Sequence, residues 1–247
     1  MTATVRVGGA TVPLDVDLGD ALAAHLLADR GVADLAAFEA AFVALVESAD
    51  PDADTAWDRF YDATLARLAS RPGGDGTLAV FSRIWARARG LARGDSVLDV
   101  GSCFGWLPLA WAGEPGAPRL LGCDLSPAAA RLAARQGRRL GRPVAWSCAD
   151  GTRLPLADAA VDTVLLLHVL EHVPVGVEAA LLAEAQRVAA RRVVVAVPVE
   201  PAPDPVFGHL QVFDTDRLAA LGRAGGWSWS TADGDGAWLV LDRPETP

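Results

Sequence analysis

Three aspartates stand at or near the ends of short apolar runs that are typical of buried strands. They are Asp99, Asp124 and Asp150, and the second follows the first by 25 residues. The carboxyl ends of parallel strands meet at one edge of an open α/β sheet, where such sheets bind their ligands. A carboxylate at the position of Asp124 can bind both hydroxyls of a ribose. The three acids therefore predict a crevice for an adenosine-containing ligand.

The first of these runs leads directly into a glycine-containing loop. The loop reads Gly-Ser-Cys-Phe-Gly from Gly101 to Gly105, and a helical pattern starts at Trp106. Glycine at the first position lets the backbone approach a ligand closely, and glycine at the last permits tight packing of strand and helix. The spacing differs from the Gly-x-Gly-x-x-Gly pattern that places a pyrophosphate on a helix N-terminus. This difference counts against a nicotinamide-type cofactor.

Two further segments carry histidines after strand-like runs. One reads His-Val-Leu-Glu-His and ends at His172, and the other, at 207–214, reads Phe-Gly-His-Leu-Gln-Val-Phe-Asp. Histidine has the ordinary pKa that suits a general base near neutral pH, so His172 and His209 are candidate bases, with Glu171 beside the first. The structural alternatives are that His172 packs against the next loop and that His209 holds its own loop by hydrogen bonding. Asp214 is predicted to be the N-cap of the following helix.

Hydrophobic periodicity predicts the elements that position these residues. Residues 4–17 alternate as in a hairpin, and 18–70 show the spacing of two or three helices. Strand-like and helix-like runs then alternate, which demands a mainly parallel sheet. They are 77–91, 96–100, 106–112, 119–124, 127–140, 144–149, 161–167, 177–189, 192–198 and 215–224, followed by a hairpin of 227–231 and 237–242. The sequence thus predicts an α/β fold, a doubly wound seven-stranded sheet over residues 72–247, with a mostly helical accessory region over residues 1–71.

Composition argues against several other classes of protein. The formal net charge is −9, with 31 acidic residues against 22 basic ones, so nucleic acid is not expected as a partner. No segment approaches the roughly 18 uninterrupted apolar residues of a membrane helix, and the first residues lack a basic start followed by an apolar run. We therefore expect no membrane partner and a cytoplasmic location. The three cysteines form no close-spaced ligand pattern, which predicts reduced thiols. Glu171 and Asp214 are too few carboxylates to indicate a divalent-metal site, so no metal ligand is assigned and the metal requirement is left open. The oligomeric state is left open.

The motifs around the three aspartates, with the Leu-Glu-His sequence ending at His172, resemble those of class I S-adenosylmethionine-dependent methyltransferases. The resemblance covers residues 77–242 and implies a Rossmann-like fold with S-adenosylmethionine as the cofactor. It implies that the glycine loop receives the amino-acid end of the cofactor, the second acid its ribose and the third its adenine. The cofactor-binding residues implied in this way are Asp99, Gly101, Ser102, Cys103, Gly105, Asp124, Leu125, Asp150, Gly151 and His168. Cys103 departs from the family, where glycine is usual, and makes the loop bulkier where it faces the cofactor.

The same resemblance implies that Glu171, His172 and His209 face the acceptor and are the candidate catalytic residues. The sequence also resembles a narrower family, the mycofactocin oligosaccharide methyltransferases, which methylate a glucose hydroxyl. This resemblance lies in residues 101–109, in the Leu-Glu-His sequence and in residues 207–214. It implies O-methylation of a small-molecule or oligosaccharide acceptor, with a base to assist the weakly nucleophilic hydroxyl. Two alternatives stay open: a nicotinamide-type oxidoreductase, and a module that binds S-adenosylmethionine without catalysis.

Overall fold

The chain divides into two units of different make-up. The computed structural model describes residues 3–30, 35–70, 73–74 and 76–244. The first unit is formed by Met1–Arg83 with Asp204–His209, and the second by Ile84–Pro203 with Leu210–Pro247. The predicted boundary between residues 71 and 72 lies outside the described residues and stays a prediction. Among the described helices, none combines the length and the apolar character that crossing a membrane requires.

The first unit begins with a hairpin and continues with helices. Its elements are β1 (Thr4–Val7), β2 (Ala10–Pro13), α1 (Leu18–Arg30), α2 (Leu35–Glu47), α3 (Ala53–Ala69) and the first turns of α4 (Thr77–Leu91). Asp52 caps α3 by accepting a hydrogen bond from the Thr55 amide at 3.1 Å. Arg67 pairs with the fully buried Asp15 and with Asp17, each at 2.7 Å, and so ties α3 to the segment before α1. The structure therefore contains the hairpin and the helices predicted for this part of the chain.

The second unit is an open α/β sheet with its helices. Its further elements are β3 (Ser96–Val100), α5 (Trp106–Trp111), β4 (Arg119–Asp124), α6 (Pro127–Arg139), β5 (Val144–Cys148), β6 (Val161–Leu167), the 3-10 turn Leu170–His172, α7 (Val177–Val188), β7 (Ala189–Val197), α8 (Thr215–Ala224), β8 (Ser228–Asp233) and β9 (Ala237–Asp242). The strands lie in the order β5-β4-β3-β6-β7-β9-β8. Strands β3 to β7 are parallel, whereas β9 is antiparallel to both β7 and β8. The predicted mainly parallel, seven-stranded sheet is confirmed.

The middle of the sheet forms the hydrophobic core. Every residue of β6 except Asp162 is buried, and so are the five consecutive residues Val193–Val197 of β7. Continuous apolar runs of this kind are typical of parallel strands that are covered on both faces. Leu181, Leu182 and Val188 of α7 belong to the same core cluster. This packing fixes the ends of β3 and β6, from which the loops of the candidate site depart.

An ion pair joins the antiparallel hairpin to the parallel part of the sheet. Arg192 in β7 donates from Nε and Nη2 to the two carboxylate oxygens of Asp242 in β9, at 2.7 and 2.8 Å. Its Nη1 donates to the carbonyl of Leu91 at the end of α4, at 2.8 Å. The Arg192 side chain is only 11% exposed, so its guanidinium depends on these partners.

Trp146 in β5 packs against three glycines that belong to different elements. A Cβ atom on Gly122 of β4 would lie 2.2 Å from Cζ3 of the indole, and one on Gly105 would lie 2.3 Å from Cη2. A Cβ on Gly137 of α6 would lie 3.2 Å from Nε1. No side chain fits at the first two positions, because such approaches are far inside van der Waals contact. The indole thus determines how closely β4, α6 and the start of α5 pack.

Candidate active site

The loop between β3 and α5 is a tight, hydrogen-bonded turn. The Ser102 amide donates to the carbonyl of Cys123 at 2.9 Å, the Ser102 hydroxyl to that of Asp99 at 2.7 Å, and the Gly105 amide to that of Ser102 at 2.7 Å. Gly101, Cys103 and Gly105 have φ angles of +70°, +49° and +73°. Cys103 therefore adopts a left-handed conformation that glycine accepts more readily.

The end of β4 is bonded directly to this loop through Asp124. One carboxylate oxygen accepts from the Cys103 amide and the other from the Ser126 amide, each at 2.8 Å. Each carboxylate oxygen has two lone pairs, so both can accept a further hydrogen bond from a ligand hydroxyl. Ser126 is the N-cap of α6, accepting from the Ala129 amide, and the Leu125 side chain is exposed. The arrangement fits a carboxylate that binds a ribose beside the glycine loop.

Asp99 is a buried acid in the same group of strand ends. Its side chain is only 7% exposed, and burial raises its pKa from 3.8 to about 7. A hydrogen bond with Ser102 opposes this change, and the neighbouring negative charge of Asp124 adds to it. Burial also raises the pKa of the Cys123 thiol to about 12, with a further contribution from Asp99. Asp99 can therefore exchange a proton close to neutral pH, whereas Cys123 stays a thiol.

Asp150 and Gly151 follow β5 at the next strand end. Oδ1 of Asp150 accepts from the amide and the hydroxyl of Thr152, at 2.8 and 2.7 Å, and these bonds lower the pKa of its carboxyl group. The Asp150 carboxylate is exposed and can accept a hydrogen bond from a ligand, while its contact with adenine stays a prediction. A Cβ atom on Gly151 would lie 2.6 Å from Leu181 and 3.0 Å from Val100, so packing alone requires glycine there.

The segment after β6 brings His168 and Glu171 together. His168 has φ +56°, and its amide donates to the carbonyl of Ala196 at 2.8 Å. Its Nδ1 lies 3.3 Å from Oε1 of Glu171, which is 1% exposed. Within the described part of the chain, neither carboxylate oxygen of Glu171 has a hydrogen-bond partner. A buried carboxylate without hydrogen-bond partners destabilises the folded protein. Glu171 is therefore suited to accept a hydrogen bond from a bound ligand.

This segment also lies against the glycine loop. Between His168 and Glu171, Val169 approaches Gly101 so closely that a Cβ atom there would lie 2.7 Å from Val169 Cγ2. The following His172 is exposed at the end of the 3-10 turn. The structure thus brings Asp99, Gly101 and the His168–His172 segment together at the carboxyl ends of two adjacent strands.

His209 belongs to the first unit, in the segment Asp204–His209. Its amide donates to the carbonyl of Asp204 at 2.9 Å, and its ring lies 6.2 Å from that of Phe207. Its participation with Glu171 and His172 stays a prediction. Asp214 is the N-cap of α8, accepting from the Arg217 amide at 2.8 Å, as predicted.

Three residues of this region were not singled out from the sequence. Val169 packs on the glycine loop, Gln211 bonds to the loop that carries Glu171, and Arg217 bonds to the side chain of Gln211. For Gln211, the sequence shows a polar residue between two apolar ones, Leu210 and Val212. This pattern does not reveal which groups the glutamine side chain binds.

Comparison with known proteins identifies a family model and a relative that each match part of the chain. Residues 98–197, from β3 to the end of β7, match the family described as a methyltransferase domain. This match covers two fifths of the chain and indicates a likeness to methyltransferase domains. An uncharacterized methyltransferase of Mycobacteroides abscessus is 37% identical over 119 residues, covering 47% of this chain and 42% of that protein. The chain therefore matches less than half of that relative's length.

Solved structures of other proteins share the fold of this chain. A magnesium protoporphyrin IX methyltransferase from Synechocystis PCC 6803 with bound SAH has a TM-score of 0.52 at 16% identity, covering 73% of this chain and 93% of that one. The cyclase SpnF has a TM-score of 0.58 at 19% identity, covering 77% and 94%. These likenesses show the fold alone. They confirm the predicted Rossmann-like fold, and the family match agrees with the predicted cofactor, S-adenosylmethionine.

Proposed function

We propose that the chain transfers the methyl group of S-adenosylmethionine to a hydroxyl of a small-molecule or glycan acceptor. The narrower resemblance of the sequence suggests a glucose unit of the mycofactocin oligosaccharide as that acceptor. The observation that carries the proposal is the buried Glu171 carboxylate beside His168, next to the glycine loop. It supplies a proton acceptor at the strand ends where the cofactor is expected.

The residues at the strand ends fit S-adenosylmethionine. Asp124 keeps acceptor capacity for ribose hydroxyls, Asp150 is an exposed anion, and Asp99 is a buried acid able to balance a cationic ligand. Leu125 offers an exposed apolar surface beside the ribose position, and Gly101 keeps the loop backbone accessible. When bound, the cofactor supplies an electrophilic methyl group on a positively charged sulfur.

A hydroxyl acceptor needs more help from the protein than an amine or a thiol does. Its proton has to leave as the new C–O bond forms, and a positioned base contributes about 10²–10⁴-fold to such a step. Glu171 has carboxylate oxygens available for this role, His168 lies beside it, and the exposed His172 ends the same turn. His209 is the second candidate base proposed from the sequence.

Binding experiments test the cofactor part of this proposal. We expect calorimetric titration with S-adenosylhomocysteine to show binding that NADH does not reproduce. Asp124→Ala should weaken it at least about tenfold, because hydrogen bonds to a charged acceptor are lost. Asp216→Ala, which removes an exposed acid of α8, serves as the matched control. Preference for NADH would overturn the proposal.

Turnover experiments test the acceptor part. The protein is incubated with S-adenosylmethionine and with glucose, cellobiose or phenyl glucoside, and separately with the corresponding amino sugar. We expect formation of S-adenosylhomocysteine and a methyl ether only with hydroxyl acceptors, and a decrease of about 100-fold in kcat for Glu171→Gln or His172→Gln. Methylation of the amine alone would refute O-methylation. Binding without turnover of any acceptor would favour a non-catalytic module.

A further inference from the structure

A buried glutamine holds the turn that carries the candidate catalytic residues. Gln211 is 4% exposed, and its Nε2 donates to the carbonyls of Leu170 and Val173, at 3.0 and 2.8 Å. These two carbonyls flank the 3-10 turn, one at its first residue and one just after His172. The neighbouring Leu210 amide donates to the carbonyl of Glu171 at 2.7 Å. Two consecutive residues thus bind three carbonyls of one short loop.

Arg217 in the first turn of α8 fixes the orientation of that glutamine. Its Nη2 donates to Oε1 of Gln211 and lies 3.2 Å from Oε1 of Glu178, while its Nη1 donates to the carbonyl of Val212 at 2.6 Å. With Oε1 bound to the guanidinium, the NH₂ group of the amide faces the loop carbonyls. The guanidinium carbon also lies 4.1 Å from the centre of the Phe213 ring. Arg217 is therefore held on several sides.

We propose that Gln211, oriented by Arg217, is a positioning residue that fixes the Leu170–His172 turn and hence the side chains of Glu171 and His172. This inference rests on the proposed function, since it assigns the base to that turn. A 3-10 turn of three residues has few hydrogen bonds of its own, so its backbone depends on outside donors. Misplacement of a reacting group by about 1 Å can reduce turnover by about 100-fold.

The variants separate the loss of the donors from the loss of a buried side chain. Gln211→Met keeps the length of the side chain without its hydrogen bonds, and Gln211→Glu keeps the partner of Arg217 but removes the donors. Arg217→Met leaves the glutamine without its orienting partner. Gln186→Met is the matched control, because Gln186 is also buried and donates to one carbonyl, that of Gly225 at 3.0 Å, outside the turn.

Two readouts need no acceptor. We expect amide hydrogen exchange of the 168–176 segment to accelerate at least about tenfold in both Gln211 variants and in Arg217→Met, and to stay unchanged in Gln186→Met. The ring Cε1–H resonance of His172, assigned by its loss in His172→Gln, should shift in the same three variants. The Gln211→Met and Arg217→Met effects should be non-additive in the double variant, because Arg217 acts through Gln211.

Binding and turnover complete the test. Affinity for S-adenosylhomocysteine should change less than about twofold in every variant, while kcat for the hydroxyl acceptor falls by about 100-fold in Gln211→Met and KM changes little. Unchanged exchange and an unshifted His172 resonance in Gln211→Met would overturn the positioning role. Absence of S-adenosylhomocysteine binding to the unaltered protein would instead refute the proposed function, and the two failures are therefore distinguishable.

Discussion

Replacing Asp99 by asparagine removes a buried carboxyl group and leaves a side chain of nearly the same shape. Burial raises the pKa of Asp99 from 3.8 to about 7 in the folded protein. The unfolded chain exposes this carboxyl to water, where it has its ordinary pKa. The folded state therefore binds this proton more tightly than the unfolded state does, and the carboxyl makes stability depend on pH.

The direction and the size of the effect follow from the two pKa values. Below about pH 4 the carboxyl is protonated in the folded and the unfolded state, so it does not lower the free energy of unfolding. Between about pH 4 and pH 7 the unfolded chain loses the proton first, so the free energy of unfolding decreases as pH rises. One pKa unit corresponds to about 1.4 kcal/mol, which gives a cost of about 2 kcal/mol at pH 5 and about 4 kcal/mol at pH 8. Above pH 8 the cost stays constant.

Urea unfolding of the unaltered protein and of Asp99→Asn, followed by tryptophan fluorescence at pH 5, 6, 7 and 8, measures this cost. We expect the variant to be more stable by about 2 kcal/mol at pH 5 and by about 4 kcal/mol at pH 8. Asp216→Asn, at an exposed position, should show no such gain. A difference that is the same at every pH, or a variant less stable at pH 8, would refute the argument from burial.

Three further predictions concern the cofactor loop and the sheet. S-adenosylmethionine is a cation, so its binding near pH 6 should favour the ionised form of Asp99 and release a proton. Calorimetry in buffers of different ionisation enthalpy measures this release, and an uptake of protons would contradict the prediction. N-ethylmaleimide should label the exposed Cys103 and Cys148 but not the buried Cys123, and bound S-adenosylhomocysteine should protect Cys103 from labelling. Peptide mass spectrometry measures the labelling of each cysteine. Labelling of Cys123 in the native protein would contradict the prediction. Arg192→Met should destabilise the protein by about 1–3 kcal/mol in urea unfolding, because it breaks the paired hydrogen bonds to Asp242, and no loss would mean that the pair contributes little.

The sequence predicts the strands and their ends well because periodicity is a local property. The elements of the sheet appear within one or two residues of their predicted bounds, with the exception of the start of β7. Strand β7 begins at Ala189, three residues before the predicted start, because Ala189 already pairs with Val161 of β6 ahead of an irregularity in the register. A smaller difference is the end of β8, which lies at Asp233, two residues beyond the predicted end, since Asp233 still pairs with Ala237.

The candidate site is less accessible to sequence reasoning because its key contacts join distant parts of the chain. Nothing in the Leu-Glu-His sequence shows that Glu171 is buried with both carboxylate oxygens available. Likewise, Gln211 finds its carbonyl partners about 40 residues away, at 170 and 173. Residue types and spacing predict which groups lie at strand ends, whereas tertiary packing decides which of them are hidden, held or ionised.

The indole of Trp146 makes the amino acids allowed at other positions depend on one another. Alanine at Gly122 has no room while the tryptophan is present, but a smaller side chain in β5 would create space there, whereas Gly105 needs glycine for its φ of +73° as well. A Gly122→Ala change that is damaging alone should therefore be partly rescued by Trp146→Leu, although each change is unfavourable by itself. Among related chains, glycine at the position of Gly122 and a large ring in β5 are expected to be gained or lost together.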